Sequence, residues 1–410
     1  VHGNSISYWY VKETNKYGRN LDPSDAASYD RGGWLDRIDY GTRQVNGIDS
    51  VLDGPAPLRV DFEVANRCIS NCSVHNELQW PDTPWDSECT GSSCPDNFSP
   101  TFWTTHRLHR VTTQVLDGGN YRNVERWTLT HSFPDPGDGT RAGLVLDKIS
   151  HVGLIGTTTA VPDIEFTYIQ LSNRVDTVDF AAAMNWMRIA MIRTETGGTI
   201  NITYSEEDCK AGQPMPTPHT NTRRCYPVIW EPEGYQNPVT DWFHKYVVKT
   251  VYEIDHTGGV PPNGSPRIVY SYDYLDGAAW HYTDDDGLID KERKTWSDFR
   301  GYGRVAVTVG DVGEQTYTET RYFRGMHGDR ASPAGGTRTV TIDGINDEDW
   351  YAGMVREVKT FNGPGGSVVF RQTNEPWPSP ATATRTINGD TVTARFQRIA
   401  TVRNYTTLDA

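Results

Sequence analysis

No stretch of this 410-residue sequence is apolar for the roughly 20 residues a membrane-spanning helix needs, and no leader-like apolar segment opens it. Only 36% of the residues are hydrophobic, too few for a set of long buried helices. Three motifs are also missing: G-x-S-x-G, H-E-x-x-H and the P-loop. Serine-hydrolase, zincin and nucleotidase readings therefore lose their usual sequence support. Positive charge is scarce as well. The 39 Lys and Arg stand against 53 Asp and Glu, a formal charge of -14, and no Lys/Arg-rich stripe offsets it, which argues against a nucleic-acid partner. Val1 lies almost inside a strand motif and Ala410 follows another, so the chain reads as an excised or processed segment of something longer.

What the sequence does have is turns and rings: 38 Gly, 24 Pro, 21 Tyr and 13 Trp. They fall into a recurring unit, a glycine-marked turn followed by a strand in which Tyr, Trp or Phe alternates with polar residues. It appears as HGNSISYWY (His2 to Tyr10), GGTINITY (Gly197 to Tyr204), GSPRIVYSYDY (Gly264 to Tyr274), GGTRTVTI (Gly335 to Ile342), GGSVVF (Gly365 to Phe370) and NGDTVTARF (Asn388 to Phe396). Period-2 alternation after a glycine turn signals successive β-hairpins, with the aromatics expected to do the burying. The length exceeds the roughly 250 to 300 residues at which single cores stop growing, so either several domains or one extended sheet is required. The repeats favour the sheet. We expect an all-β fold, a long antiparallel sheet of successive hairpins running as one continuous segment over 1–410. Two loop insertions interrupt it, a Cys-rich one at 66–100 and a Pro-rich, disulfide-closed one at 206–240. The stretch VDFAAAMNWMRIAMI (Val178 to Ile192) fits both periods; the Gly197-Gly198 turn that follows favours a strand after Asn185.

Six cysteines form three close pairs in sequence: Cys68 with Cys72, Cys89 with Cys94, and Cys209 with Cys225. The first four lie in a polar, Pro-rich segment that apolar burial alone would not hold, which points to disulfides and an oxidising, extracellular compartment. A four-Cys zinc site is the competing reading, although C-x3-C and C-x4-C depart from the usual C-x2-C knuckle. Six cysteines allow fifteen pairings, and sequence does not choose among them. Cys209 with Cys225 is the favoured single bond, because the loop between them has nothing else to order it; closing it stabilises by about 3 kcal/mol.

Other chemical groups are weighed against structural roles. His106 and His109 sit three apart on a strand and so face opposite sides, which disfavours a shared metal. Asp284, Asp286 and Asp290 (TDDDGLID) have the composition of a calcium loop, but aligning Gly287 with the sixth position of an EF-hand puts Tyr282 first and Arg293 twelfth. A solvated acidic turn is the simpler reading there, as at Asp347, Glu348 and Asp349. We assign no catalytic residue, cofactor or firm metal site, with calcium the one weak candidate. Asp82 and Asp86 beside Trp80 and Trp85 (QWPDTPWDSE) would supply the paired carboxylates and sugar-stacking rings of a glycoside hydrolase. The plainer reading is rings clamping a loop and carboxylates capping turns. The regular recurrence of the aromatics argues for cross-strand packing and against a single sugar-binding face. Sequons at Asn71, Asn97, Asn201 and Asn404 matter only in a glycosylating host.

Four segments carry a family resemblance: HGNSISYWYVKETNKYGRNLD, GGWLDRIDYGTR, SPTFWTTHRL, and FRGYGRVAVTVGD followed by TRYFRGMHGDR. In this order the chain resembles Rhs/YD-repeat proteins of the large secreted actinobacterial kind, related to the B component of insecticidal Tc toxins. The resemblance implies a sheet coiled into part of a hollow shell that encloses a C-terminal toxin or effector domain. Two departures stand out: no dense tandem array of short YD repeats is present, and no segment resembles the self-cleaving one that closes such shells. The functional expectation is a secreted, non-enzymatic wall segment, with an enclosed or linked toxin domain as its partner and a cell-surface or glycan partner as a further one. A secreted lectin or adhesin, and an all-β glycoside hydrolase, are the alternatives.

Overall fold

The structure is a computed structural model and describes residues 4–45, 47–49, 54–256, 265–283, 289–387 and 390–407. Apart from a few single 3-10 turns, the regular structure of these residues is β-strand, and eighteen of the strands form one antiparallel sheet that does not close into a barrel. Period-2 sequence and frequent glycine turns dictate this. Between Asp117 and Asn120, for example, Gly118 and Gly119 both adopt positive φ (57° and 87°), the geometry that lets a two-residue turn match the twist of its flanking strands.

The chain divides into two compact units, Val1–Ile169 with Met191–Gly198, and Gln170–Ala190 with Thr199–Ala410. In the first, Asn4–Gly18 pairs with Ala26–Val45, from Asn4 opposite Arg43 to Gly18 opposite Ala26, with register shifts at Ser5/Ile6, Trp9/Tyr10 and Glu13/Thr14. The ladder continues through Leu58–Asn66, His106–Asp117, Asn120–Ser132 and Val145–Gly153. In the second, Thr199–Tyr204 pairs with Val248–Ile254, followed in order by Ile268–Tyr282, Trp296–Val309, Thr316–Tyr322, Val355–Phe361, Val368–Pro378 and Gln397–Thr406. The stretch of ambiguous period resolves as a strand, Asn185–Arg193, ahead of a turn in which Gly197 has φ 88°.

Two of the six repeats differ from expectation. GGTRTVTI gives no long strand of the main sheet. It contributes Gly335–Thr337, which pairs with Arg330–Ser332, and Thr341–Ile342, which folds back on Ile345–Asn346 because Asp343 and Gly344 take positive φ. NGDTVTARF gives Asp390–Ala394, which pairs with Ala383–Ile387 in a separate two-stranded sheet. The aromatics also bury less than the alternation suggests. On the first strand Tyr8 and Tyr10 are 55% and 66% exposed, as an antiparallel sheet with one solvated face permits.

Burial instead falls heavily on polar groups. Among the described residues, 17 hydrophobic side chains are buried against 21 polar or charged ones, so paired charges and hydrogen bonds must specify much of the interior. Asp39 lies between Arg59 (2.8 Å) and Arg37 (3.1 Å). Glu357 is gripped by Arg371 (2.5 Å) and Lys359 (3.1 Å), which hold its carboxyl below the ordinary range despite burial. Asp347, fully buried, accepts the backbone N–H groups of Arg324, Gly325 and Met326.

Candidate functional site

The Cys-rich excursion runs between Asn66 and His106 and is laid along the first two strands. Asn15 clasps it from both ends of its amide, donating to Ser87 O (2.8 Å) and accepting from Cys89 N (2.8 Å). Tyr29 Oη donates to Thr101 O (2.8 Å) and accepts from Thr101 N (2.9 Å). Trp103 N donates to Arg31 O, and the approach is so close that a Cβ on Gly32 would stand 2.8 Å from Trp103 O. Disulfides join Cys68 to Cys72 and Cys89 to Cys94. A third joins Cys209 to Cys225 in the second unit, and no cysteine is free, which fits an oxidising compartment.

Within this excursion the rings form a small core. His75 stacks on Trp85 at 3.5 Å, Trp85 meets Trp80 and Trp103 edge-on at 5.0 and 5.5 Å, and Arg31 lies 3.6 Å over Trp103. Trp80 is 3% exposed, so its face is unavailable for stacking on a sugar. Asp82 is held by Arg67 through both carboxylate oxygens and accepts Leu144 N (3.3 Å), while Asp86 sits exposed in a 3-10 turn. The structure thus places Asp82 and the two tryptophans in a clamp and leaves Asp86 at the surface.

The histidines of THRLHR are likewise apart in role. His106 Nδ1 lies 3.3 Å from Glu13 Oε1, with its ring against Trp34, whereas His109 Nδ1 is buried without a hydrogen-bond partner. Of the acidic turn, Asp284 and Asp286 lie outside the described residues, and Asp290 precedes the 3-10 turn Lys291–Arg293. No cluster of three or more His, Cys, Asp or Glu suited to a metal occurs among the described residues. No helix among them is long and apolar enough to cross a membrane.

Sequence reasoning passed over a hollow in the second unit, a cavity of about 340 Å³ lined by residues that include Arg188, Tyr226, Phe243, His244, Lys245 and Tyr246. Its wall is built from two sources. The chain before Asn185–Arg193 is locked by Arg174, which is 2% exposed. Arg174 donates to Ala182 O (2.7 Å), Val178 O (3.0 Å) and Asp176 (2.8 Å), and meets buried Asp241 at 3.2 Å. Asp241 also takes Thr177 Oγ1 (2.6 Å) and Trp230 Nε1 (3.3 Å). The opposite wall is the hairpin Cys225–Trp230 with Val239–His244, closed at its base by Lys245 N donating to Arg224 O (2.8 Å) and joined to the first wall by His244 N donating to Asn173 O (2.6 Å).

Burial shifts the titrating groups of this cavity. His244 falls below its ordinary value because its ring is desolvated. Desolvation, with the Glu207 carboxylate adding to it, pushes Tyr246 up to about 12. Tyr226 rises for the same first reason. The one sequence trace of the site is WFHKY (Trp242 to Tyr246), where a histidine and a lysine sit among three rings; nothing in it announces Arg188, 57 positions before Lys245.

No protein-family model matches this sequence, and no curated protein matches it. Among solved structures the chain is similar to one titled "Crystal Structure of TcdB2-TccC3", with a TM-score of 0.42 and 10% sequence identity over 99% of this chain. The match covers 35% of that chain, so this chain spans about a third of the length of the protein it is compared with.

Proposed function

We propose that this chain is a non-enzymatic wall segment of a secreted protein of the Rhs/YD-repeat kind, enclosing or presenting a toxin or effector domain that lies elsewhere in the parent. The observation that carries the reading is the fate of the charged residues within the motifs that resemble that family. In FRGYGRVAVTVGD, Arg300 pairs with Asp298 (2.6 Å) and Asp349 (2.7 Å), and Arg304 with Asp276 (3.1 Å) and Glu319 (3.3 Å). In TRYFRGMHGDR, Phe323 and Met326 are buried, Asp329 engages Arg338 (3.3 Å), and the backbone of Arg324 to Met326 wraps the Asp347 carboxylate. A Cβ on Gly325 would stand 2.8 Å from Arg300 Nη1, so the motif's glycine serves this packing. Side chains engaged with one another in this way support the reading of a structural wall.

The glycoside-hydrolase alternative is disfavoured by the engagement of Asp82 with Arg67 and by the burial of Trp80. Limited proteolysis of the full-length parent, read by mass spectrometry, tests containment. The downstream domain is expected to survive within the intact parent and to be digested quickly when expressed alone. If it is cut freely while residues 1–410 persist as a resistant unit, the enclosing role is wrong.

A further inference from the structure

Asparagine is followed by glycine four times in the sequence, at 46, 263, 362 and 388, and of these asparagines only Asn362 is among the described residues. It stands at the tip of the hairpin that joins Val355–Phe361 to Val368–Pro378, and it is exposed. Two hydrogen bonds cross the tip, Asn362 N to Ser367 O (2.9 Å) and Gly366 N to Gly363 O (3.1 Å). Neither uses the Asn362 carboxamide or the Gly363 N–H, and both groups are without a hydrogen-bond partner among the described residues. Gly363 and Gly365 take positive φ (73° and 75°), and a Cβ on Gly366 would overlap Asn362 O. The tip is built from residues with no side chain to shield the backbone and few bonds to hold it.

Asparagines held inside the fold differ on both counts. Asn15 donates to Ser87 O (2.8 Å), Asn173 accepts from Arg188 (2.6 Å), Asn221 donates to Cys225 O (2.6 Å) and Asn374 donates to Val355 O (3.0 Å). Each is followed by a residue with a side chain, Lys16, Arg174, Thr222 and Glu375. The contrast has a chemical consequence, because the carbonyl carbon of an asparagine carboxamide is an electrophile one residue away from a backbone nitrogen. Such a nucleophile acts at a high effective concentration once the two groups are free to meet. At Asn362 no hydrogen bond holds the carboxamide back, and no Cβ on the following residue stands in the path.

We propose that Asn362 is a self-modification site, converted to aspartate and isoaspartate through attack by the Gly363 backbone nitrogen on its side-chain carbonyl carbon. A bond forms between that nitrogen and Asn362 Cγ, the Cγ–Nδ2 bond breaks, and ammonia leaves with the proton the Gly363 amide gave up. Water then opens the cyclic imide, its oxygen joining one carbonyl carbon and its proton returning to the nitrogen. Opening at Cγ gives aspartate; opening at the main-chain carbonyl gives isoaspartate, whose backbone is one methylene longer. Either product places a carboxylate beside the turn that carries the exposed Asp311 and Glu314, since a Cβ on Gly363 would lie 3.4 Å from Gln315 O. The longer product enters the chain directly after Phe361, whose ring meets Tyr317 edge-on at 5.2 Å. The hairpin thus gains like-charge repulsion with age, a slow one-way change that is independent of the wall function.

The test is to hold the intact chain at neutral and at mildly alkaline pH and follow the tryptic peptide Thr360 to Arg371, in which Asn362 is the single asparagine, by mass spectrometry. The peptide should gain the mass of an NH2 replaced by an OH and separate into aspartate and isoaspartate forms. Conversion should run about tenfold faster than at Asn15, Asn173, Asn221 or Asn374, the factor that freedom from one hydrogen bond of roughly 1.4 kcal/mol supplies. It should quicken as pH rises, because the nitrogen attacks in its deprotonated form, and should be unchanged by urea below the unfolding transition. Asn362→Gln should abolish the change in this peptide and keep the urea midpoint of the parent. An Asn362 that stays intact in the folded chain while a synthetic peptide of the same sequence converts would overturn the proposal. So would conversion that tracks the unfolded fraction in urea, or earlier reaction at one of the hydrogen-bonded asparagines.

Discussion

Residues 67–105 in the first unit and 206–246 in the second are both Pro-rich, disulfide-bearing departures from the sheet, yet different forces hold them. The first has disulfides closing only short spans, 4 and 5 residues apart in sequence. Its shape comes from hydrogen bonds to the strands beneath, through Asn15, Tyr29 and Arg31, and from the stacked rings of His75, Trp80, Trp85 and Trp103. The second closes a span of 16 residues and buries its disulfide with Val175 and Trp242, beside a fully enclosed Arg174–Asp241 pair. It also contributes Trp280's partner, since Trp280 Nε1 donates to Arg223 O (2.9 Å), and it leaves a cavity. A loop laid on a sheet can borrow the backbone of its strands. A loop that must build its own interior needs a core, a covalent closure and neutralised charge, and this one encloses space as it does so.

That contrast can be broken most sharply at Asp241. Asp241→Ala leaves the buried Arg174 cation with only the exposed Asp176 carboxylate and should cost about 3–5 kcal/mol in urea unfolding, whereas a joint Arg174→Met, Asp241→Leu protein should recover much of the loss. A double variant as unstable as the single would show that the pair contributes specific contacts beyond charge balance. In the first excursion the corresponding weak point is a ring. Trp80→Ala removes the buried ring of the cluster and should cost about 3–5 kcal/mol, accompanied by early protease cleavage between Arg67 and Thr105; cleavage at the parent's rate would refute the clamp.

Disulfide removal separates the regions further. Cys209→Ser should lower stability by about 3 kcal/mol under oxidising conditions and Cys89→Ser by about 2 kcal/mol, as the lengths of the closed spans require. With reductant present both differences from the parent should shrink; an equal loss with and without reductant would remove the covalent link from the explanation.

The smallest effect is a pH dependence that each region carries through a histidine. Burial depresses His131 in the first unit, with Arg107 adding to it, and His244 in the second, both from an ordinary value of 6.5. The unfolded chain therefore binds the proton first as pH falls, so the stability these rings allow is complete above 6.5 and is lost as pH drops through the folded values. Urea midpoints on either side of pH 6.5 should fall on the acid side, and His131→Gln and His244→Gln should each flatten part of that slope. A steeper slope in either variant would reverse the assignment.

Much of the fold was legible because strand signals are local. Alternation, glycine turns and the closeness of the paired cysteines all lie within a few residues of one another, and from them come the all-β class, the hairpin order and the strand at Asn185–Arg193. Legibility failed where a short stretch had to be judged by what packs around it. GGTRTVTI has the pattern of a strand, but positive φ at Asp343 and Gly344 folds it into small ribbons. Asp347 reads as a solvated acidic residue in the sequence, but three backbone donors some twenty positions earlier claim it.

Local sequence sufficed for a chain of antiparallel strands with two disulfide-bearing excursions, since hydrogen-bonded hairpins need only neighbouring residues and turn chemistry. Which polar groups are buried, which charges find partners and where a cavity opens were settled by long-range packing. Those depend on residues such as Arg174 and Asp241 that lie more than fifty positions apart and meet only once the chain has folded.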